Sequence, residues 1–363
     1  MRDKVICFFN STQAWGGGEK WHCDIATRLH EKGYKVIAIT NSKSELNSRL
    51  LESGIKVYQI SISNLSFLNP FKRKRITNIL KEEQVSTLII NLPADLKIVA
   101  PIAKKGGVLK TIYRRGSAIP IKNKLSNRIL FGNYIDEIIA NSNTTKETIL
   151  HNNPLLIDKN KIKVIFNGII PKDKNVEVTN RIKFQRIDDE IIIGNAGRFV
   201  KQKNQEFLIH LAVKLQAANI KFKLLLAGEG KLKSKLADLA KSLNIDDKVI
   251  FTGFVDNISD FMESIDIFIL PSFWEGFGYV LVEAMYCKKP VIAFNLSSNP
   301  EIIDDNKTGF LVEKNNFEDV IAKINLLSKD KDLRIKMGEA GDKRVNQLFV
   351  IDRVVGEVEK LLV

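Results

Sequence analysis

The chain has 363 residues, is 44% hydrophobic and carries a net charge of +14, so it is too long for one ordinary core and fits two domains of about 170 residues each. It contains no apolar run long enough to span a bilayer, and the stretch Val5-Ile6-Cys7-Phe8-Phe9 behind Met1-Arg2-Asp3-Lys4 is too short for a secretory signal. Cys7, Cys23 and Cys287 are odd in number, isolated and never arranged as CxxC, which indicates neither a disulfide framework nor a zinc site and is consistent with a reducing, cytoplasmic compartment.

Short apolar runs alternate with amphipathic helical stretches, the pattern of βα units around parallel sheets. In the first half strands are expected at Val5 to Asn10, Lys35 to Thr40, Ile55 to Ile60, Ser86 to Asn91, Leu109 to Tyr113, Glu137 to Ala140 and Lys163 to Phe166. A polar, irregular segment from Pro171 to Asp189 breaks the rhythm. It resumes with strands at Glu190 to Ala196, Lys223 to Ala227, Lys248 to Thr252, Asp266 to Leu270, Pro290 to Phe294 and Gly309 to Val312. Two successive Rossmann-like domains of α/β class, joined near residue 180, are the consequence. At the carboxyl terminus, apolar residues at 351, 354, 355, 358, 361 and 362 predict an amphipathic helix whose face must pack on something.

Charge is unevenly placed. Between Leu65 and Leu130 fourteen Lys and Arg face only Glu82, Glu83 and Asp95, a local net charge of +11. Such a stretch suits nucleic acid, an anionic membrane surface, an acidic acceptor, or simply a solvated lysine-rich face. No zinc finger, RNP aromatic motif or helix-turn-helix accompanies it, which argues against nucleic acid. Phe67, Leu68 and Phe71 beside Lys72, Arg73, Lys74 and Arg75 combine apolar and basic groups as an interfacial segment does.

Three constellations carry chemistry. After the first strand, Gly16-Gly17-Gly18-Glu19 leads into a helix through Trp21, Ile25, Ala26 and Leu29 that Gly33 ends. Glycines let backbone NH groups approach an anion, and a helix amino terminus adds positive potential. The spacing matches neither GxGxxG nor a Walker A loop, and a plain tight turn remains the alternative. The second half opens with Gly197-Arg198-Phe199-Val200-Lys201-Gln202-Lys203, where two cations at a strand end could stabilise a leaving diphosphate more in the transition state than in the ground state, the alternative in isolation being ordinary surface charges. Finally, Pro271 stops a buried strand and is followed by Glu275-Gly276-Phe277-Gly278-Tyr279 and Glu283-Ala284-Met285. This puts one carboxylate on a loop and one on a helix at the carboxyl ends of parallel strands, where open α/β sheets bind ligands and where acceptor groups suit a polyhydroxylated molecule.

Glu-x7-Glu inside an EGFG-x4-EAM frame, with Gly197-Arg198 and Lys203 as a GR-x4-K motif, resembles the retaining glycosyltransferases of family 4. Asn141-Ser142, Val164-Ile165-Phe166-Asn167-Gly168, Leu226-Ala227-Gly228-Glu229-Gly230, Phe251-Thr252-Gly253-Phe254, Pro300-Glu301-Ile302-Ile303 and Thr308-Gly309-Phe310-Leu311-Val312 are similar to family blocks in the expected order. The resemblance implies the GT-B fold, two Rossmann-like domains facing each other across a cleft. Residues 1–180 would form the acceptor domain and 181–345 the nucleotide-sugar donor domain, with the helix in 346–363 packing back towards the first. It assigns Arg198 and Lys203 to the leaving diphosphate, and Glu275 with the backbone of Phe277 and Gly278 to the transferred sugar. Glu283 would bind the ribose, Gly253 and Phe254 would border the base, and Gly16, Gly17 and Gly18 would face the donor phosphates and the acceptor.

One departure stands out. Where many members place a histidine after the strand ending Lys110-Thr111-Ile112-Tyr113, this chain has Arg114-Arg115-Gly116, so Arg114 or Arg115 could meet an anionic acceptor, the other reading being a solvated basic face. His22, His30, His151 and His210 lie elsewhere, His22 reading equally as a helix-surface residue. The resulting expectation is metal-independent, cofactor-free, retaining transfer of a sugar from a nucleoside diphosphate to a bacterial envelope glycan or glycolipid. The enzyme would be cytoplasmic and touch the anionic face of the inner membrane. A catalytically silent nucleotide-sugar-binding protein and a GT-B epimerase remain the alternatives, since fold does not prove activity.

Overall fold

A computed structural model describes residues 4–171, 182, 184, 186, 187 and 189–363. The irregular segment expected from Pro171 to Asp189 lies largely outside the described residues. The chain divides into two compact units, Met1–Ile170 together with Val350–Val363, and Pro171–Phe349.

The first unit contains β1 Val5–Asn10, α1 Gly17–Glu31, β2 Lys35–Thr40, α2 Glu45–Glu52, β3 Lys56–Gln59, α3 Pro70–Glu82 and β4 Val85–Ile90. It continues with α4 Pro93–Ala103, β5 Lys110–Arg115, α5 Leu125–Tyr134, β6 Glu137–Ala140, α6 Asn143–Leu150 and β7 Ile162–Val164. The seven strands form a parallel sheet in the order β3-β2-β1-β4-β5-β6-β7. Every residue of β4 is buried, as expected of a central strand with helices on both faces. One face packs on α3, α4 and α5 through Ile76, Leu80, Ile98, Val99 and Phe131. The other packs on α1 and α2 through Trp21, Ile25, Leu29, Leu46 and Leu50.

Local signals explain the boundaries. Asn69 caps α3 by accepting from the Lys72 NH, with Pro70 in the first turn. Gly33 follows α1 with φ +85°, a left-handed conformation that glycine adopts without a Cβ penalty.

The second unit contains β8 Ile191–Ala196, α7 Gln205–Ala217, β9 Phe222–Ala227, α8 Lys233–Ser242, β10 Val249–Gly253, α9 Ile258–Glu263 and β11 Ile267–Leu270. Then follow α10 Tyr279–Tyr286, β12 Val291–Phe294, α11 Asn299–Ile302, β13 Gly309–Val312, α12 Phe317–Lys329 and α13 Lys331–Leu348. Its six parallel strands run β10-β9-β8-β11-β12-β13.

The last helix, α14 Ile351–Glu359, belongs to the first unit. Its buried Ile351, Val354, Val355 and Val358 join the core beneath α1, and Lys32 Nζ meets Glu359 Oε2 at 2.6 Å. Gly168 permits this approach, since a Cβ there would lie 2.8 Å from the Ile351 Cα. The Ile351 NH donates to the Ile169 carbonyl at 2.9 Å.

All thirteen expected strands are present, with shifted ends. Phe166 falls outside β7, and β5 runs on through Arg114 and Arg115 rather than stopping at Tyr113. The last shift matters because alternation along a strand now decides where the two arginines point.

Candidate active site

In each sheet the strand order reverses beside the first strand, between β1 and β4 and between β8 and β11. Ligands of open α/β sheets bind at such switch points, beyond the carboxyl ends of the strands. The sequence constellations lie there in both units.

In the second unit, β8 ends at Ala196, and Gly197 and Arg198 follow. The Gly197 NH donates to the Ala227 carbonyl at 2.9 Å. Gly228, at φ +134°, has no room for a side chain, because a Cβ would sit 2.1 Å from the Gly197 carbonyl oxygen. The turn after Arg198 is strapped to the loop after β11. Phe273 NH donates to the Gln202 carbonyl at 2.9 Å, Gln202 Nε2 to the Trp274 carbonyl at 2.8 Å, and Asn204 Nδ2 to the Pro271 carbonyl at 3.1 Å. These bonds place Lys203 Nζ 2.6 Å from Glu275 Oε1. The pair is largely shielded, the two side chains being 16% and 7% exposed, whereas Arg198 is exposed.

The other expected donor contacts occupy the same edge of this sheet. The Phe277 ring is buried against Tyr279 and Phe349, with centroids 5.6 and 5.7 Å apart. Only the backbone of Phe277 is thus available to a ligand, and Gly278 caps α10. Glu283 sits on the second turn of α10 and is half-buried. Gly253 ends β10 with φ +75°, and Phe254 beside it is 71% exposed, an open aromatic face at the sheet edge.

In the first unit the glycine turn is shorter than expected. Gly16 caps α1, and Gly17 and Gly18 already belong to its first turn. Beneath them lies a buried polar network. Glu19 Oε1 accepts from Asn10 Nδ2 and Asn91 Nδ2, each at 3.2 Å. Arg114 Nη1 donates to Asn91 Oδ1 at 3.3 Å and Nη2 to Asn167 Oδ1 at 3.0 Å. Gly18 must lack a side chain, as a Cβ would meet Asn91 Nδ2 at 2.8 Å.

The two arginines therefore part company. Arg114 is 3% exposed and brackets the ends of β4 and β7 on the α1 side. For Arg114 burial overturns the solvated-face reading, and Asn91 and Asn167 hold its guanidinium at the carboxyl ends of β4 and β7. Arg115 projects to the opposite face, where Nη2 donates to the Ile119 carbonyl at 2.6 Å. His22 is fully buried, edge-on to Phe8 at 5.4 Å. Burial, reinforced by Arg114, holds its imidazole neutral well below the usual range, so the helix-surface reading does not hold.

Sequence reasoning missed Asp95. It is fully buried in the first turn of α4, where it accepts from the Ser11 NH at 2.9 Å and from the Ser11 hydroxyl at 2.5 Å. Burial pushes its carboxyl up to about 6, with the Glu19 charge adding to the effect and the Ser11 bonds opposing it. Folding thus takes up a proton between the unfolded and folded pKa values. The stability that this group allows is fully present below about pH 4, is lost as pH rises through 6, and levels off about 3 kcal/mol lower. Asp95→Asn keeps an acceptor for the Ser11 NH and removes the titration. Urea unfolding of both proteins should show the variant gaining by about that amount between pH 4 and 7; a constant difference would refute it.

Among the described residues, no group of three or more His, Cys, Asp or Glu is gathered as a metal site. None of the helices described is long and apolar enough to cross a membrane.

The family model for glycosyl transferases group 1 matches residues 176–344, and that for glycosyltransferase family 4 matches residues 15–173. The chain is a family 4 glycosyltransferase. This glycosyltransferase is 26% identical over 365 residues to N-acetyl-alpha-D-glucosaminyl L-malate synthase of Bacillus anthracis, covering 95% of this chain and 93% of that one. It is 30% identical over 237 residues to the capsular polysaccharide biosynthesis glycosyltransferase CapM of Staphylococcus aureus, covering 62% and 60%. The crystal structure of HepE of Anabaena in complex with UDP-glucose superimposes with a TM-score of 0.81 at 19% identity, covering 98% of both chains. The fold is GT-B.

Proposed function

We propose that this glycosyltransferase moves a sugar from a nucleoside diphosphate, with retention and without a metal, to a bacterial envelope glycan or glycolipid. The enzyme would work from the cytoplasm and touch the anionic face of the inner membrane. The observation that carries the reading is the Lys203–Glu275 pair at the β8/β11 switch point, held by three hydrogen bonds between the turn 201–204 and the loop 271–274, with Arg198 on the same strand end. A cation paired with a buried carboxylate, and a second cation exposed at the same strand end, suit a diphosphate that gains charge as the glycosidic bond breaks and a sugar whose hydroxyls need an acceptor. Fixed cations of this kind can take the place of a metal on the leaving group, and the departing phosphate can receive the acceptor's proton. The UDP-glucose bound by HepE and the capsular role of CapM support the donor class and the envelope acceptor.

A thermal-shift screen of UDP, GDP and ADP sugars tests the donor. Binding to the folded state alone raises stability by about 2.7 kcal/mol at a hundredfold excess over Kd. Glu283→Gln should weaken the donor found in this way, because a carboxylate accepts from ribose hydroxyls more strongly than an amide does. An unchanged calorimetric Kd would remove the ribose role. Mass spectrometry of products then separates transfer from epimerisation or silence, and only transfer sustains the proposal.

A further inference from the structure

The first unit exposes large apolar side chains where a compact domain normally hides them. Leu65 is 69% exposed, Phe67 37%, Leu68 67% and Phe71 82%. They occupy the turn after β3 and the first residues of α3. A second group comprises Ile119 at 53%, Leu125 at 72% and Ile129 at 47%, on the connection after β5 and on α5. Because the sheet is parallel, the connections after β1, β3, β4 and β5 all emerge at its carboxyl edge. Both groups therefore share that edge with the glycine turn at Gly16. The turn Ser66–Leu68 and α5 each pack on α4, so the two groups flank one helix on one face of the sheet.

Charge follows the same two limbs. Arg73, Lys74 and Arg75 are exposed beside Phe71, and Lys122, Lys124 and Arg128 are exposed beside Leu125. No Asp or Glu occurs from residue 53 to 81 or from 96 to 135. Apolar tips beside clustered cations, with Glu82 at the far end of α3 the one carboxylate lining the depression beside Phe71, Lys74 and Arg75, match the boundary of an anionic bilayer, where rings and aliphatic chains enter the acyl region and Lys and Arg meet head-group phosphates. An acidic protein surface would reward the cations but leave the seven apolar tips unsatisfied. A neutral apolar partner would do the reverse.

The geometry points to a two-limbed membrane-docking rim, formed by residues 65–75 and 119–129, that seats the carboxyl edge of the first unit on anionic lipid. This rests on the reading of a membrane-linked acceptor, because it brings the glycine turn to the surface from which such an acceptor projects.

Sedimentation of the full chain with vesicles of phosphatidylcholine alone, or with 30% phosphatidylglycerol, tests it at 0.05 and 0.5 M salt. Each basic residue is worth roughly fivefold in partition near an anionic surface, an attraction screened by salt. The wild type should bind anionic vesicles at least tenfold more tightly than neutral ones and lose most of that at high salt. Leu68→Ser with Phe71→Ser should weaken binding at least tenfold without a change in charge. Lys122→Glu with Lys124→Glu should do so independently, which a single-limbed patch would not show. Circular dichroism and the donor thermal shift, which reports on the second unit, check that the variants fold. Binding that ignores lipid charge, no vesicle binding, or a dimer in centrifugation that the Phe71 variant abolishes would overturn the rim. Vesicle binding by a protein that shifts with no nucleotide sugar would instead sink the donor reading and leave the rim standing.

Discussion

Arg198→Ala is expected to lower kcat about 100-fold or more while leaving the unfolding midpoint unchanged. The side chain is exposed beyond the end of β8, so its removal opens no cavity and strands no buried partner. On the proposed function, what is lost is a cation that meets the leaving diphosphate as it gains charge, a loss of the size seen when one donor is removed from an oxyanion site. Steady-state kinetics with the donor found by the thermal-shift screen, beside a melting curve, is the measurement. Near wild-type turnover would remove Arg198 from the mechanism.

Lys203→Ala should behave differently although it lies only five residues further on. Its ammonium pairs with Glu275 at 2.6 Å in a shielded setting, and removing one partner of such a pair leaves an uncompensated carboxylate. Turnover should again fall about 100-fold or more, but stability should fall too, by about 3 kcal/mol after allowance for the partial exposure of the lysine. Glu275→Gln added to Lys203→Ala neutralises the stranded charge. The double variant should regain much of the lost stability and none of the activity, and a double-mutant cycle in urea measures the coupling. If Lys203→Ala alone unfolds like the wild type, the pair does not hold the loop. If it also turns over normally, the diphosphate role fails with it.

The contrast between the two cations shows what a sequence conceals. Their motif, and the EGFG-x4-EAM frame, were legible because chemistry and local structure coincide within a few residues: a buried strand, a proline stop, a glycine turn and a helix start. The thirteen strands were legible for the same reason, most being short runs of buried β-branched or aliphatic residues, with the edge strands β3, β7 and β10 less buried. The Lys203–Glu275 pair joins positions 72 residues apart, and no periodicity announces it. The burial of Arg114 was hidden because the strand boundary was set at the last apolar residue, Tyr113, when β5 continues through two charged ones. A buried arginine is uncommon and needs partners such as Asn91 and Asn167 that only the fold supplies. Asp95 escaped because an acidic residue in the first turn of a helix ordinarily reads as a dipole partner facing solvent, and here Ser11, 84 residues away, draws it inward.

The return of the chain to its starting unit also fixes an order of events. Residues 171–349 form one contiguous unit, so all of its contacts are available once Phe349 has been made. The first unit has its sheet by Val164, yet the core under α1 is completed by Ile351, Val354, Val355, Val358, Leu361 and Leu362. During synthesis that part of the core, lined by Trp21, Ile25 and Leu29, stays open to water while the whole of the second unit is produced. The half that begins first is therefore the half that closes last.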